Sequence, residues 1–83
     1  MKRPYTQAFN ELKKLGAPVY EHPDDNGNFS LDAEVPEADH WASYYAGGPT
    51  WVFGVSPRLE AILRRHNLFA EWVNPGRLSI YLA

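Results

Sequence analysis

Tyr5, Ala8, Phe9, Leu12 and Leu15 recur at spacings of three and four, the period of one helical face, and predict a first helix over residues 4–15. Pro4 suits its first turn, Lys13 and Lys14 its last turn, and Gly16 the left-handed stop beyond it. Segments 19–25 and 28–35 flank Asn26-Gly27, the pair that best tolerates positive φ at both centres of a two-residue hairpin turn. Pairing about that turn sets Tyr20, His22, Phe29, Leu31 and Ala33 on a buried face. Glu21, Ser30, Asp32 and Glu34 then fall on a face turned to water.

Residues 36–45 put Ala38, Trp41, Ala42 and Tyr45 on one stripe, with Glu37 and Asp39 in the first turn and Gly47 after the end. This predicts a short second helix. Gly47-Gly48-Pro49 turns the chain into 50–55, whose β-branched and aromatic residues without polar alternation predict a central strand covered on both faces. Ser56 as N-cap and Pro57 at the first helical position open a third helix, with Leu59, Ile62, Leu63 and His66 on one stripe and Asn67 closing it.

Segments 68–73 and 78–82 bracket Asn74-Pro75-Gly76 as a hairpin. A three-residue loop sets Leu68, Ala70 and Trp72 beside Leu78, Ile80 and Leu82, and turns Phe69, Glu71, Ser79 and Tyr81 outward. The expected fold is α+β, a single domain over residues 1–83 in the order αββαβαββ. It has a mainly antiparallel sheet of about five strands, with the first and third helices on one face. The sequence contains no internal repeat, linker or low-complexity stretch.

Composition narrows the class. Hydrophobic residues at 45% and charged residues at 22% exclude disorder, and 83 residues suffice for one core. The absence of cysteine excludes a disulfide scaffold and thiolate metal sites. The longest apolar run, 51–55, is too short to span a bilayer, and the polar start leads into no signal-type stretch; the expectation is a cytoplasmic protein with no membrane partner.

The net charge of −2 hides a segregation. Glu21, Asp24, Asp25, Asp32, Glu34, Glu37 and Asp39 form a block with no Lys or Arg, between a basic start (Lys2, Arg3, Lys13, Lys14) and a region carrying Arg58, Arg64, Arg65 and Arg77.

Candidate chemistry is sparse. Residues 22–27 suggest a calcium loop, but the register puts His22 and Ala33 where calcium needs a carboxylate and a bidentate glutamate. His22, His40 and His66 have no metal-ligand spacing. Ser56 lacks the glycine-flanked elbow of a nucleophile. Gly47-Gly48 precedes a strand-like segment and not a helix, the wrong order for a phosphate cradle; at 55–58 the order is right, but Pro57 removes a donor. No catalytic residue, metal ligand or cofactor site is therefore expected, and an enzyme or metal-binding domain ranks third.

Two interaction readings remain. Aromatic residues make up 14% of the chain, and outward rings near a carboxylate-rich hairpin suit a patch that binds a basic protein surface through Asp24, Asp25, Asp32, Glu34, Glu37, Asp39 and Tyr44. The alternative is nucleic-acid binding by the arginine face of the third helix and its hairpin, Arg58, Arg64, Arg65 and Arg77. In size and charge layout the chain is similar to small acidic inhibitors encoded by phages or plasmids, anti-CRISPR proteins and nucleic-acid mimics among them. No motif carries that likeness, which implies a non-enzymatic inhibitor.

Overall fold

A computed structural model describes residues 1–45 and 49–83. The Gly47-Gly48 turn expected from the sequence lies outside the described residues. Helix α1 spans Arg3–Lys14, strand β1 Val19–Tyr20 and strand β2 Phe29–Asp32; a 3-10 helix over Pro36–His40 precedes helix α2, Pro57–Arg65, and strands β3, Leu68–Asn74, and β4, Arg77–Leu82. The α+β class holds, with two α-helices and one antiparallel sheet of four strands in the order β1-β2-β4-β3.

Both helices contribute their apolar stripes to one core. Tyr5, Ala8 and Leu12 of α1 and Leu59, Ile62 and Leu63 of α2 cluster with Val19, Phe29, Leu31, Leu68, Leu78 and Ile80 from one face of the sheet. Phe29 takes the edges of the Tyr5 and Phe9 rings at 6.3 and 5.4 Å, a favoured aromatic geometry. Where β2 ends beside β4, the Tyr5 hydroxyl accepts the Leu82 N–H at 2.8 Å.

The Ser56 side chain accepts the Leu59 N–H at 3.2 Å, the N-cap expected for α2. Replacing Ser56 by alanine should lower unfolding free energy by about 1 kcal/mol in urea titration; a change within error would mean that the cap contributes nothing.

The first hairpin departs from its expected register. Val19 pairs with Leu31 and Tyr20 with Ser30, three residues away from pairing about a two-residue turn. An odd shift exchanges the faces of a strand, so Val19 is inside and Tyr20 is on the outer face. Local polar bonds explain the longer connection. Asp25 N–H reaches the His22 carbonyl, His22 N–H reaches the Asp25 carboxylate, and Asn26 N–H reaches Asn28 Oδ1, each at 2.9 Å. These side chains compete with ladder bonds and curl residues 22–28 into a loop.

The expected second helix is only the 3-10 helix; Ala38, Trp41 and Ala42 are buried as expected, but Tyr45 is 84% exposed. Residues 50–55 are not a central strand either. Val52 and Val55 exchange backbone hydrogen bonds at 3.2 and 3.0 Å around Phe53 and Gly54, whose φ values are +51° and +75°. Positive φ at both central positions is the signature of a tight reversal. The chain turns back on itself here and joins no sheet, and β4, not 50–55, lies between two neighbours.

The β3–β4 hairpin follows the expected facing, Leu68 to Leu82, Ala70 to Ile80 and Trp72 to Leu78, but its loop has two residues and not the expected three, because a bulge between Trp72 and Asn74 brings Asn74 opposite Arg77.

Candidate functional site

Serines and aromatics on the sheet's outer face were expected to meet water, yet Ser30 and Ser79 are fully buried. The 22–28 loop explains this. Asp25 lies against the face, and its carboxylate accepts from Ser30 Oγ at 2.9 Å and from Arg77 Nη2 at 3.1 Å; Arg77 Nε donates to Ser30 Oγ at 3.2 Å, and Ser30 and Ser79 share a 2.9 Å bond. The side chains of Asp25 and Arg77 are only 3% and 11% exposed. Asp25 thus leaves the group of acids offered to a partner, and Arg77 leaves the basic face, because each neutralises the other inside the domain.

Beside this knot is an open cavity of about 370 Å³ lined by Tyr20, His22, Asp32, Glu34, Asn74, Gly76 and Arg77. Asp32 accepts the Glu34 N–H at 2.9 Å, and the Glu34 side chain lies so close over Gly76 that a Cβ there would sit 2.0 Å from its carboxylate. Partial burial, more than any neighbouring charge, raises the Tyr20 phenol above its ordinary 10.0; Arg77 opposes that shift. Asp24 is exposed at the rim, 3.8 Å from Arg77. Glu37 and Asp39 are exposed on the 3-10 helix. Of the expected acids, Asp32 and Glu34 share this cavity.

Tyr44 belongs to a second feature. Its ring meets the edges of Tyr45 and Trp72 at 5.2 and 5.4 Å. Trp72 Nε1 donates to the Phe53 carbonyl at 2.6 Å, and the Ser43 N–H donates to the Gly54 carbonyl at 2.8 Å, so two independent bonds hold the 52–55 reversal against the rest of the domain. The reversal displays Val52 and a Phe53 ring that is 88% exposed. Residues 41–56 contain no Asp, Glu, Lys or Arg. The sequence points to Tyr44; Tyr45, expected inside, joins it at the surface, Trp72 stays half-buried against the core as expected and supports them from below, and Gly54 within an apolar run is the signal for the reversal that exposes Phe53.

The other three arginines of the expected basic face are engaged. Arg58 stacks over the Trp41 ring at 4.5 Å, Arg64 faces Glu60 at 3.8 Å, and Arg65 bonds Glu11. His66 also reaches Glu11, at 2.9 Å, and these contacts tie the end of α2 to α1. The hydrogen bonds from His66 and Arg65 lower the Glu11 pKa from its ordinary 4.5, against a smaller opposing effect of burial. A carboxylate with a depressed folded pKa adds stability above its unfolded pKa and loses it as pH falls through the folded value. Stability should therefore fall below about pH 4.5, and Glu11→Gln should flatten that fall in urea titrations at successive pH values. An unchanged slope would remove Glu11 from the account.

Among the described residues no group of three His, Asp or Glu side chains is placed to hold a metal ion, and no helix is long and apolar enough to cross a membrane. No known family, curated protein or solved structure matches the chain, so its own residues carry the functional argument.

Proposed function

We propose that the domain is a non-enzymatic protein-binding module, of the kind an inhibitor uses, that engages a partner with a basic surface. The observation that carries this reading is the exposed trio Tyr44, Tyr45 and Phe53 on a charge-free stretch, held from below by the half-buried Trp72 and, at Phe53, by a backbone in a costly conformation. A non-glycine residue at positive φ costs about 1–2 kcal/mol. Such strain persists only where the surroundings fix it, and it gathers at functional sites. Rigid aromatic anchors are also the side chains that dominate protein interfaces. Asp24, Asp32, Glu34, Glu37 and Asp39 supply the charge that steers a basic partner toward the domain.

Nucleic-acid binding by Arg58, Arg64, Arg65 and Arg77 has less support, since every one of these side chains already has an intramolecular partner.

The test begins with capture of a partner from native lysate, with a nuclease-treated control, followed by association kinetics of the recovered protein. Joint replacement of Asp24, Asp32, Glu34 and Asp39 by Asn or Gln should preserve folding, slow association and flatten its salt dependence. Association as fast as the parent at low salt would overturn the reading. Loss of capture on nuclease treatment, with binding weakened by Arg58→Ala and Arg65→Ala, would favour nucleic acid instead.

A further inference from the structure

The two edges of the sheet are unequal. β1 closes one edge with two residues, whereas β3 presents seven on the other and pairs only with β4. The hydrogen-bond phase of β3 follows from one bond beyond its end, Ala83 N–H to the Asn67 carbonyl at 2.9 Å, which lies in the same register as Leu68–Leu82 and Trp72–Leu78. Bonded and non-bonded pairs alternate along an antiparallel ladder. Phe69 and Glu71 therefore turn their amides and carbonyls toward β4, and Leu68, Ala70 and Trp72 turn theirs away from the sheet.

The other side of β4 has the complementary phase. Ala33 N–H reaches the Gly76 carbonyl at 3.0 Å, and the Tyr5 hydroxyl takes the Leu82 N–H. Among the described residues, no hydrogen bond meets the main chain of Leu68, Ala70 or Trp72. Natural edges are guarded by short strands, Lys, Pro or bulges. This strand has no Lys or Pro, a single charge at Glu71, and its bulge only at the far end.

We infer that β3 pairs antiparallel with β3 of a second copy about a two-fold axis at Ala70, joining two sheets into one. This inference does not depend on the partner proposed above. The open positions Leu68, Ala70 and Trp72 are symmetric about Ala70, so this register alone faces each of them with an open position: Ala70 with Ala70, and Leu68 with Trp72 of the other copy. It places Glu71 opposite Phe69 of the second copy. An axis at Glu71 would set two carboxylates face to face, an unfavourable cross-strand pair.

The same pairing carries the uncharged aromatic cluster around Trp72 toward the start of β3 in the other copy, directly after the end of α2, where the guanidinium planes of Arg64 and Arg65 remain exposed for stacking while each keeps its carboxylate partner. Arginine beside aromatic faces is a favourable combination. The occupant that fits this edge is the chain itself.

Sedimentation velocity from micromolar to millimolar concentration should show a monomer passing to a dimer. Over the same range, amide exchange at Leu68, Ala70 and Trp72 should slow with concentration, while Phe69 and Glu71 stay protected throughout. Ala70→Pro removes an N–H that faces away from β4 and should lower the association constant at least about tenfold, through loss of the two central hydrogen bonds. Phe69→Lys should hold or strengthen the dimer, because the new ammonium faces Glu71 of the second copy; weakening by this variant would overturn the register.

A monomer at every concentration would overturn the inference, as would concentration-independent exchange at the three open amides or an undiminished dimer in folded Ala70→Pro. If Ala70→Pro does not fold, the exchange measurement on the parent chain decides.

Discussion

Replacing Arg77 with alanine is expected to cost about 3–5 kcal/mol of stability, the penalty for leaving a buried charge without its partner. The Asp25 carboxylate is held under the loop of residues 22–28, and Arg77 is its only cation within hydrogen-bond distance among the described residues. Small domains have about 5–15 kcal/mol in total, so the variant should unfold at far lower urea. The charge itself is the liability. Asp25→Asn combined with Arg77→Leu should be less damaging than Arg77→Ala alone, since removing both charges leaves none uncompensated. An Arg77→Ala midpoint close to the parent's would mean that water reaches Asp25.

Gly54→Ala is expected to cost about 2 kcal/mol or more, combining a side chain forced to positive φ with an overpacked contact. The added Cβ would lie 2.1 Å from the Ser43 carbonyl oxygen, a backbone atom without a flexible side chain's freedom to move away. To relieve the clash the reversal must draw away from Ser43, weakening the Ser43–Gly54 bond and the grip of Trp72 on the Phe53 carbonyl. Thermal denaturation gives the stability change, and tryptophan fluorescence reports release of Trp72. If the cluster anchors a partner, the variant should dissociate faster with little change in association rate. A stable variant with unaltered fluorescence would show that the reversal tolerates displacement.

The elements legible in the sequence are those whose signals are local and mutually consistent. Helix α2 has a serine cap, a first-turn proline and a clean apolar stripe, all pointing to the same boundaries. The β3–β4 facing is legible because a single register buries Leu78 and Ile80 together. The first hairpin is not, because Asn26-Gly27 is overridden by hydrogen bonds that the Asp25 and Asn28 side chains accept from the His22 and Asn26 amides, and Asp25 is held in place further by Ser30 and Arg77, which are remote from the turn. Residues 50–55 have strand-like composition, but Gly54 approaches the Ser43 backbone too closely for any other residue, and that tertiary contact decides the conformation.

The candidate site divides in the same way. The exposed acids and Tyr44 are legible as polar or outward positions, but the Asp25–Arg77 pair joins residues remote in sequence and is invisible without the fold. Tyr45 sits on an apparent apolar stripe that loses its meaning once the helix stops at His40.

Of the two inner strands of the sheet, β2 and β4, the second is the last of the domain's elements to be synthesised. Until residues 77–82 leave the ribosome, β2 and β3 each lack the neighbour that completes them, and Asp25 has no guanidinium to meet. The β3–β4 hairpin is local, but β2 and β4 are far apart in sequence and pair slowly, and unpaired strand edges invite association between chains. Translation that stalls before Arg77 would leave a nascent chain with two open edges and an unmet carboxylate, a substrate for chaperones and not a partly working protein.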